Sequence, residues 1–358
     1  MMNTILDNFR LEGNVLDVRP MGNGLINDTY RVLTDVGPGY VLQRINHSIF
    51  KDVELLQHNI DCVTAHIRGK LVAAGEPDVR RKVLRFMPLK SEDRTWWHDG
   101  TSYWRVSEFI EDSVTVETVN PEYSYVAGKA FGRFQSQLSD FPETLGETIP
   151  DFHNMELRAR QLEEAMAADA AGRASLVESQ AIYSEIRTHL EEMCKAERLH
   201  REGLLPKRIC HCDTKVNNML FDKNGEVLCV IDLDTVMPSY IFSDYGDFLR
   251  TAANKVAEDC PEIDKVEFDM EIFEAFTKGY LESASSFLTP VEIENLPYAA
   301  ALFPFMQAVR FFADYINGDA YFKTKYPEHN LVRTRNQMAL FRSVMVHKAE
   351  MEAFISTL

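Results

Sequence analysis

The chain has 358 residues, of which 45% are hydrophobic and 26% charged, and its formal net charge is −17. This length predicts two domains or lobes. The acidity argues against DNA or RNA as a partner, because a phosphate backbone requires a basic protein face. The sequence contains no run of eighteen apolar residues, so no membrane span is predicted. The N-terminal residues do not resemble a signal peptide, so we expect a cytoplasmic protein.

The first part of the chain is predicted to form short strands joined by glycine turns. The predicted strands cover residues 14–20, 25–33 and 40–45. Gly22 and Gly24 stand in the first turn, where the absence of a Cβ lets backbone amides approach a bound group. Asn27 and Thr29 follow closely and offer further polar groups. In the third strand, alternation sends Gln43 and Arg44 to opposite faces, and we expect Gln43 inside and Arg44 in solvent.

A helix is predicted over residues 52–73, with Asp52 as its cap. Residues 82–89 and 102–110 alternate like strands, and residues 96–100 are predicted to connect them. From Asn120-Pro121 onward the patterns are helical. Further helices are predicted over residues 155–170, 175–202, 266–287, 290–316 and 330–355, and another begins near Phe242.

Residues 209–235 carry the strongest functional pattern. Asn218 follows Asp213 by five positions, an Asn-Gly turn joins two apolar runs into a predicted hairpin, and Asp232 and Asp234 stand where the hairpin ends. Phosphoryl transfer uses a carboxylate beside the attacking hydroxyl, and an amide and a second carboxylate on magnesium. Taken singly, each of these residues is more often a turn former. Their order and spacing together favour catalysis.

The six cysteines are scattered through a chain long enough to bury a core, so a disulfide framework is not expected. Cys210 and Cys212 flank His211, but no second cluster completes a tetrahedral metal site. We interpret them as buried thiols beside a functional histidine.

The HxDxxxxN and IDxD patterns resemble the aminoglycoside phosphotransferase and choline kinase superfamily, small-molecule relatives of protein kinases. The resemblance implies a bilobal α+β fold of the protein-kinase type. Residues 1–110 would form a small nucleotide-binding N-lobe with an antiparallel sheet and one helix. Residues 111–358 would form a mostly helical C-lobe with the catalytic loop and the substrate-binding helices. The third strand lacks the phosphate-gripping Lys of protein kinases, which leaves the residue in that role undetermined.

Longer stretches are similar to the N-acetylhexosamine 1-kinase family. They are GxGLINDTY (22–30), YVLQRIN (40–46), HCDTKVNN (211–218), VIDLDTVMP (230–238), FSDYGD (242–247), RFFADYINGDAYF (310–322) and TKYPEHNLVRTR (324–335). The resemblance implies transfer of the γ-phosphate of ATP, with Mg²⁺, to the anomeric hydroxyl of N-acetylglucosamine or N-acetylgalactosamine.

The resemblance also implies roles for individual residues. Asp213 would be the general base and Lys215 would offset phosphoryl charge. Asn218 and Asp232 would bind Mg²⁺, and Asp234 would support the metal or a sugar hydroxyl. The nucleotide would contact Gly22, Gly24, Asn27, Thr29 and Gln43, and its adenine would pair with backbone groups around Glu108 and Ile110. Arg310 and Tyr321 would reach the sugar, alongside Asp213, Lys215 and Asp234.

Several alternatives stay open. Arg310 could form a surface ion pair, and Tyr321 could be a core aromatic. The substrate could be homoserine, choline, methylthioribose or an aminoglycoside. Choline would require an aromatic cage, and an aminoglycoside would require an acidic substrate lobe. The chain could also be a catalytically idle nucleotide-binding protein of the same fold.

Overall fold

A computed structural model describes residues 2–22, 26–117 and 119–358. The helices are α1 Met2–Leu6, α2 Val53–Ala73, α3 Val79–Lys82, α4 Pro121–Gln137, α5 Met155–Ala168, α6 Val177–Met193, α7 Lys195–Arg201, α8 Phe242–Ala252, α9 Met270–Ala284, α10 Pro290–Glu294, α11 Leu296–Ile316, α12 His329–Val346 and α13 Lys348–Ile355. The strands are β1 Val15–Pro20, β2 Asp28–Thr34, β3 Tyr40–Ile45, β4 Trp96–His98, β5 Tyr103–Glu108, β6 Arg208–Cys210, β7 Met219–Phe221, β8 Val227–Val230 and β9 Met237–Ser239.

The chain divides into two compact units. The first comprises residues 1–117, 137–150 and 217–237, and the second comprises residues 118–136, 151–216 and 238–358. The first unit contains a five-stranded antiparallel sheet in the order β1-β2-β3-β5-β4 and the β7–β8 hairpin. The second unit is mostly helical. The predicted α+β fold, with an antiparallel N-terminal sheet and a mostly helical remainder, is confirmed.

The two faces of the sheet differ because side chains alternate along each strand. Leu42 on β3 and Val106 on β5 lie opposite each other and are fully buried in an apolar cluster that also contains residues of α1. One position further along β3, Gln43 pairs with Arg105 of β5 and faces the other way. Arg44 is exposed, as predicted, and it forms an ion pair with Asp28. The second face of the sheet therefore carries polar groups.

The long helix α2 begins and ends close to the predicted limits. Asp52 caps it by accepting a hydrogen bond from the Leu55 amide at 2.9 Å. Asn120 does the same for α4, accepting from the Tyr123 amide at 2.8 Å. The short helices α1 and α3 accompany α2, so the first unit has more than the single helix that was expected.

Some predicted elements were wrong. Residues 82–89 do not form a regular strand; α3 ends at Lys82, and only isolated bridges such as Phe86 to Ser107 follow. Pro88 explains this, because proline has no amide hydrogen to give to a ladder. The predicted connection at 96–100 contains strand β4.

Three predicted long helices each divide into two. The breaks fall at Cys194, Asn295 and His347, which are each the C-cap of one helix and the N-cap of the next. Among the described residues, no helix combines the length and the apolar character needed to cross a membrane.

Candidate active site

The predicted base, Asp213, lies in the second unit beside Lys215. The Lys215 Nζ lies 2.7 Å from Asp213 Oδ1 and 3.0 Å from Oδ2. The Asp213 side chain is 27% exposed, so its carboxylate is within reach of a substrate. The Lys215 ammonium therefore contacts both oxygens of the predicted base.

Asp244, near the start of α8, holds the backbone of residues 211–214, which contain the predicted base. This fully buried carboxylate accepts hydrogen bonds from the amides of His211 (3.0 Å) and Cys212 (2.8 Å) and from Gln135 Nε2 (2.8 Å). The Thr214 hydroxyl donates a hydrogen bond to the backbone carbonyl of Asp244 at 2.6 Å. Cys212 has a φ of +62°, a left-handed conformation that these bonds help to hold. The position of Asp213 thus depends on Asp244.

Sequence reasoning gave no role to Asp244 or Asp247. Both lie on the buried face of α8, where burial raises the pKa of each carboxyl. The opposing charge of Arg250, 3.0 Å from Asp247, lowers the pKa of Asp247, and the negative charge of Asp213 raises it. Asp247 is therefore close enough to interact with the base. The available signal was a pair of carboxylates three positions apart near the start of α8.

His211 is fully buried, and the rings of Phe131 and Phe134 meet it edge to face. The neighbouring Cys210 and Cys212 are buried, and burial raises the pKa of both thiols well above the usual range. All six cysteines, which lie within the described ranges, are free thiols. The two flanking thiols are buried and free, as interpreted from the sequence, and a functional role for His211 stays a prediction.

The β7–β8 hairpin of the first unit carries Asn218 and Asp232. The Ile231 amide donates to the Asn218 carbonyl at 2.9 Å, so the residues before Asp232 lie beside Asn218. Asn218 is buried, whereas Asp232 is exposed and adopts a left-handed conformation with φ +58°. An amide oxygen and a carboxylate are hard donors of the kind that Mg²⁺ prefers. The donor set therefore fits a magnesium ion.

Asp234 is engaged by protein side chains. Its Oδ1 lies 2.5 Å from Arg105 Nη2, in an ion pair without the alignment of a hydrogen bond. Its Oδ2 accepts a hydrogen bond from Asn27 Nδ2 at 2.6 Å, and its backbone carbonyl accepts one from Thr148 Oγ1 at 3.2 Å. Because both carboxylate oxygens already have close partners, this geometry favours a positioning role for Asp234 over metal coordination.

The residues predicted at the phosphates lie in one polar row on the sheet. Gln43 Nε2 donates to Thr29 Oγ1 at 3.3 Å, and Asn27 Oδ1 accepts from the Asn46 amide at 2.9 Å. Gly22 has a φ of +71°, which a residue with a side chain would rarely adopt. Gly24 lies outside the described residues. The row also includes Arg105, which sequence reasoning missed because only strand register places it there.

In the predicted adenine-binding segment, some backbone groups already have partners in the protein. The Glu108 amide already donates to the Arg85 carbonyl at 2.9 Å, and its side chain forms ion pairs with Arg80 (2.7 Å) and Arg85 (2.8 Å). The Ile110 carbonyl accepts a hydrogen bond from Ser113 Oγ at 2.7 Å. The groups left for an adenine edge are the Glu108 carbonyl and the Ile110 amide, an acceptor and a donor two residues apart.

In the second unit, Arg310 and Tyr321 lie together. The Arg310 guanidinium is 5.4 Å from the centre of the Phe152 ring and 5.5 Å from that of Phe322. Burial lowers the pKa of Arg310, and the neighbouring Tyr321 opposes that shift. Tyr321 is 68% exposed, so it is not a core aromatic. Asp314 holds this segment by accepting from the amides of Tyr321 (2.8 Å) and Phe322 (3.0 Å).

Two further basic side chains surround the same rings. His153 stacks on Phe152 with ring centres 4.3 Å apart, and its Nδ1 is buried without a hydrogen-bond partner among the described residues. Burial, followed by the charges of Arg310 and Arg158, lowers the pKa of His153 well below its usual value, so the ring is neutral at pH 7. Arg158 donates to the Phe152 carbonyl at 2.6 Å. The cluster is cationic and aromatic.

Known structures share this fold along nearly the whole chain. An aminoglycoside phosphotransferase from Alicyclobacillus acidocaldarius is 13% identical, with a TM-score of 0.66, covering 99% of this chain and 96% of that one. An amicoumacin kinase in complex with AMP-PNP, Ca²⁺ and Ami is 12% identical, with a TM-score of 0.60 and coverages of 95% and 92%. A Plasmodium vivax ethanolamine kinase is 15% identical, with a TM-score of 0.53 and coverages of 96% and 86%.

At such low identities, these likenesses show the fold alone. The family is shown by a match of residues 17–281 to the model of the phosphotransferase enzyme family, abbreviated APH. That match includes the polar row on the sheet, the catalytic loop and the β7–β8 hairpin. The chain therefore belongs to the phosphotransferase enzyme family.

Proposed function

We propose that this protein transfers the γ-phosphate of ATP to the anomeric hydroxyl of an N-acetylhexosamine, N-acetylglucosamine or N-acetylgalactosamine, giving the 1-phosphate and ADP. Membership of a phosphotransferase family supports the reaction class. The sugar substrate is inferred from the resemblance of the sequence stretches and from the chemistry of the second unit.

In this proposal Asp213 accepts the proton of the sugar C1 hydroxyl as its oxygen bonds to the γ-phosphorus and ADP leaves. An anomeric hydroxyl is more acidic than other sugar hydroxyls, so a carboxylate is an adequate base. Lys215, which contacts both Asp213 oxygens, orients the carboxylate and adds positive charge near the transferring group.

Asn218 and Asp232 would hold Mg²⁺, which when bound supplies charge neutralisation on the phosphates. The polar row of Asn27, Thr29 and Gln43 would face the phosphates, and the Glu108 carbonyl and Ile110 amide would pair with the adenine edge. Arg310 and Tyr321 would contact the sugar.

The observation that carries the choice of substrate is the cluster around Arg310. Phe152 and Phe322 offer apolar ring faces, Tyr321 offers an exposed hydroxyl, and Arg310 and Arg158 are cations. A neutral sugar can pack on such rings and accept hydrogen bonds from a guanidinium. Choline and aminoglycosides are cations, which the two arginines would repel.

The test is ADP release from Mg-ATP with N-acetylglucosamine, N-acetylgalactosamine, glucose, galactose, homoserine, choline and kanamycin, with ³¹P NMR to locate the new phosphate. We expect turnover on the N-acetylhexosamines and an anomeric phosphate. The Asp213→Asn variant should lose about 10²–10⁴-fold in kcat with little change in the KM for ATP.

Asp93→Asn is a matched control, because the Asp93 side chain is 92% exposed and pairs with surface Arg10 at 2.9 Å. Turnover restricted to homoserine, choline or kanamycin would overturn the sugar assignment and keep Asp213 as base. Nucleotide binding without turnover on any acceptor would instead favour the idle binder.

A further inference from the structure

Arg105 is a buried cation on the face of the sheet that carries the polar row. It lies on β5 directly opposite Gln43 of β3, and only 2% of the residue is exposed. Removing a guanidinium from water costs several kcal/mol unless its hydrogen-bond donors find partners. The partners of Arg105 therefore indicate what the residue is for.

The described residues satisfy only part of this guanidinium. Its Nε donates to Gln43 Oε1 at 2.9 Å, and its Nη2 lies 2.5 Å from Asp234 Oδ1. Its Nη1 is buried and has no hydrogen-bond partner within the ranges that the structure describes. Buried charged donors without a partner are rare in folded proteins, so this atom points to a missing anion or acceptor.

The guanidinium of Arg105 already has carboxylates of the protein near it. Asp61 on α2 also faces Arg105: burial raises its pKa, hydrogen bonds from Thr95 and Gln57 oppose that shift, and the charge of Arg105 adds to the opposition. Asp234 thus contacts the guanidinium directly, and the charge of Asp61 lies near enough to interact with it. Gln43, whose amide also reaches Thr29, prevents its Nε from turning away.

We propose that Arg105 is the cation that binds the phosphate groups of the nucleotide, and that Asp234 positions it for that task. The third strand has Gln43 where protein kinases carry the phosphate-gripping lysine. The register of β3 and β5 places Arg105 beside that position, so the charge comes from the neighbouring strand. Nη1 donates to a phosphate oxygen. The inference rests on the proposed function only for the presence of a nucleotide.

The competing explanation is that Arg105 only neutralises Asp61 and Asp234. The two explanations differ in how binding depends on the number of phosphates. A phosphate-binding arginine affects ADP and AMP-PNP and leaves adenosine unchanged. A purely structural arginine affects the three ligands alike, through the shape of the site.

The test is calorimetric titration of adenosine, Mg-ADP and Mg-AMP-PNP into the full-length protein. A charge-assisted hydrogen bond corresponds to about 10- to 100-fold in affinity. Arg105→Met should weaken Mg-ADP and Mg-AMP-PNP by about that factor and should change adenosine by less than about twofold. Arg44→Met is the matched control, because Arg44 follows Gln43 on β3, faces away from the polar row, is exposed and pairs with Asp28.

Two variants keep the test decisive if Arg105→Met unfolds. Arg105→Lys keeps the charge and should retain an intermediate affinity for Mg-ADP. The exchange Gln43→Lys with Arg105→Gln returns the cation to the third strand and should recover part of the lost affinity. Recovery by the exchange is not expected of a structural pair, since the amine then stands on a different strand.

Equal losses for adenosine and Mg-ADP, or no loss in any Arg105 variant that binds nucleotide, would overturn the inference alone. A wild-type protein that binds none of the three ligands would overturn the inference and the proposed function together. Normal nucleotide binding with the expected Arg105 effect, and no turnover on any sugar, would leave the inference standing and sink the substrate.

Discussion

Buried carboxylates in this protein occur in two kinds of environment. Asp234 is buried against the cation Arg105, and Glu292 is fully buried against Arg208, whose Nε lies 2.6 Å from its Oε1. Glu197 is buried without an arginine in hydrogen-bonding contact. Its Oε1 accepts the Met155 amide at 2.6 Å, and its Oε2 has no hydrogen-bond partner among the described residues. Burial raises the pKa of Glu197 to about 6 from 4.5.

A raised pKa makes the folded protein bind the Glu197 proton more tightly than the unfolded chain does. The stabilisation that the protonated Glu197 carboxyl gives to the folded state is complete below pH 4.5. It is lost as the pH rises through about 6. The shift corresponds to about 2 kcal/mol in the free energy of unfolding. We expect the wild type to lose about this much relative to Glu197→Gln between pH 4.5 and pH 6.5, measured by urea unfolding.

Glu191→Gln is the control for this experiment, because Glu191 is exposed on α6. The difference between this variant and the wild type should stay nearly constant over the same pH range. A pH-independent difference for Glu197→Gln would show that the Glu197 carboxyl does not titrate as its burial implies.

At the scale of elements, two helices of the second unit approach each other through glycine. A Cβ added at Gly279 of α9 would lie 2.0 Å from the Tyr125 carbonyl oxygen and 3.0 Å from the Lys129 amide nitrogen of α4. At Gly128 of α4, a Cβ would lie 2.2 Å from the Phe276 carbonyl oxygen. All three obstacles are backbone atoms, so the helices would have to separate.

Gly279→Ala should therefore lower the free energy of unfolding by about 1–3 kcal/mol. Gly69→Ala is the matched control within a helix: Gly69 lies on α2, and a Cβ there meets no atom within 4 Å. It should raise the free energy of unfolding by about 0.5–1 kcal/mol, because alanine loses less backbone entropy. Urea denaturation of both variants gives the signs, and a stable Gly279→Ala protein would contradict the close approach.

Element prediction succeeded where the pattern was long and locally marked. The α2 stripe with its Asp52 cap and the strand at residues 40–45 match the structure closely. It failed for residues 82–89, where alternation resembles a strand but Pro88 cannot complete a ladder. The sequence also predicted one helix where the structure has α10 and α11, because the apolar periodicity continues across the break at Asn295.

At the scale of the whole molecule, the predicted chemical groups are divided between the two compact units. Asp213 and Lys215 belong to the second unit, and Asn218 and Asp232 belong to the first. The predicted lobes, residues 1–110 and 111–358, stay a prediction. The division between the units falls between residues 216 and 217, and the β7–β8 hairpin belongs to the first unit, so a ligand bound at the hairpin should stabilise that unit.

We therefore expect Mg-AMP-PNP at about 100 times its Kd to stabilise the protein by about 2.7 kcal/mol and to raise the Tm by a few degrees. EDTA should remove most of this rise, because Asn218 and Asp232 would have no metal through which to hold the phosphates. Asp232→Asn should show the same reduced shift without EDTA. Scanning fluorimetry with adenosine, which needs no metal, provides the control, and a full shift in EDTA would argue against the magnesium site.

The sequence by itself determined the broad fold and the order of the chemical groups. Residues 211–235 place a base, an amide and two carboxylates within one short stretch, so their spacing could be read directly. Caps, turns and apolar periodicity act over a few residues and are visible in the same way. The family match agrees with the predicted phosphotransferase class.

Only the tertiary structure decided which side chains meet. Arg105 contacts Gln43, 62 positions away, and Asn27 contacts Asp234, 207 positions away. Asp244 holds the amides of His211 and Cys212 from a later helix. Strand register and helix packing create these contacts, and a one-residue slip in a strand would turn Arg105 to the opposite face. The physical reason is that no local pattern encodes the partner of a buried charge.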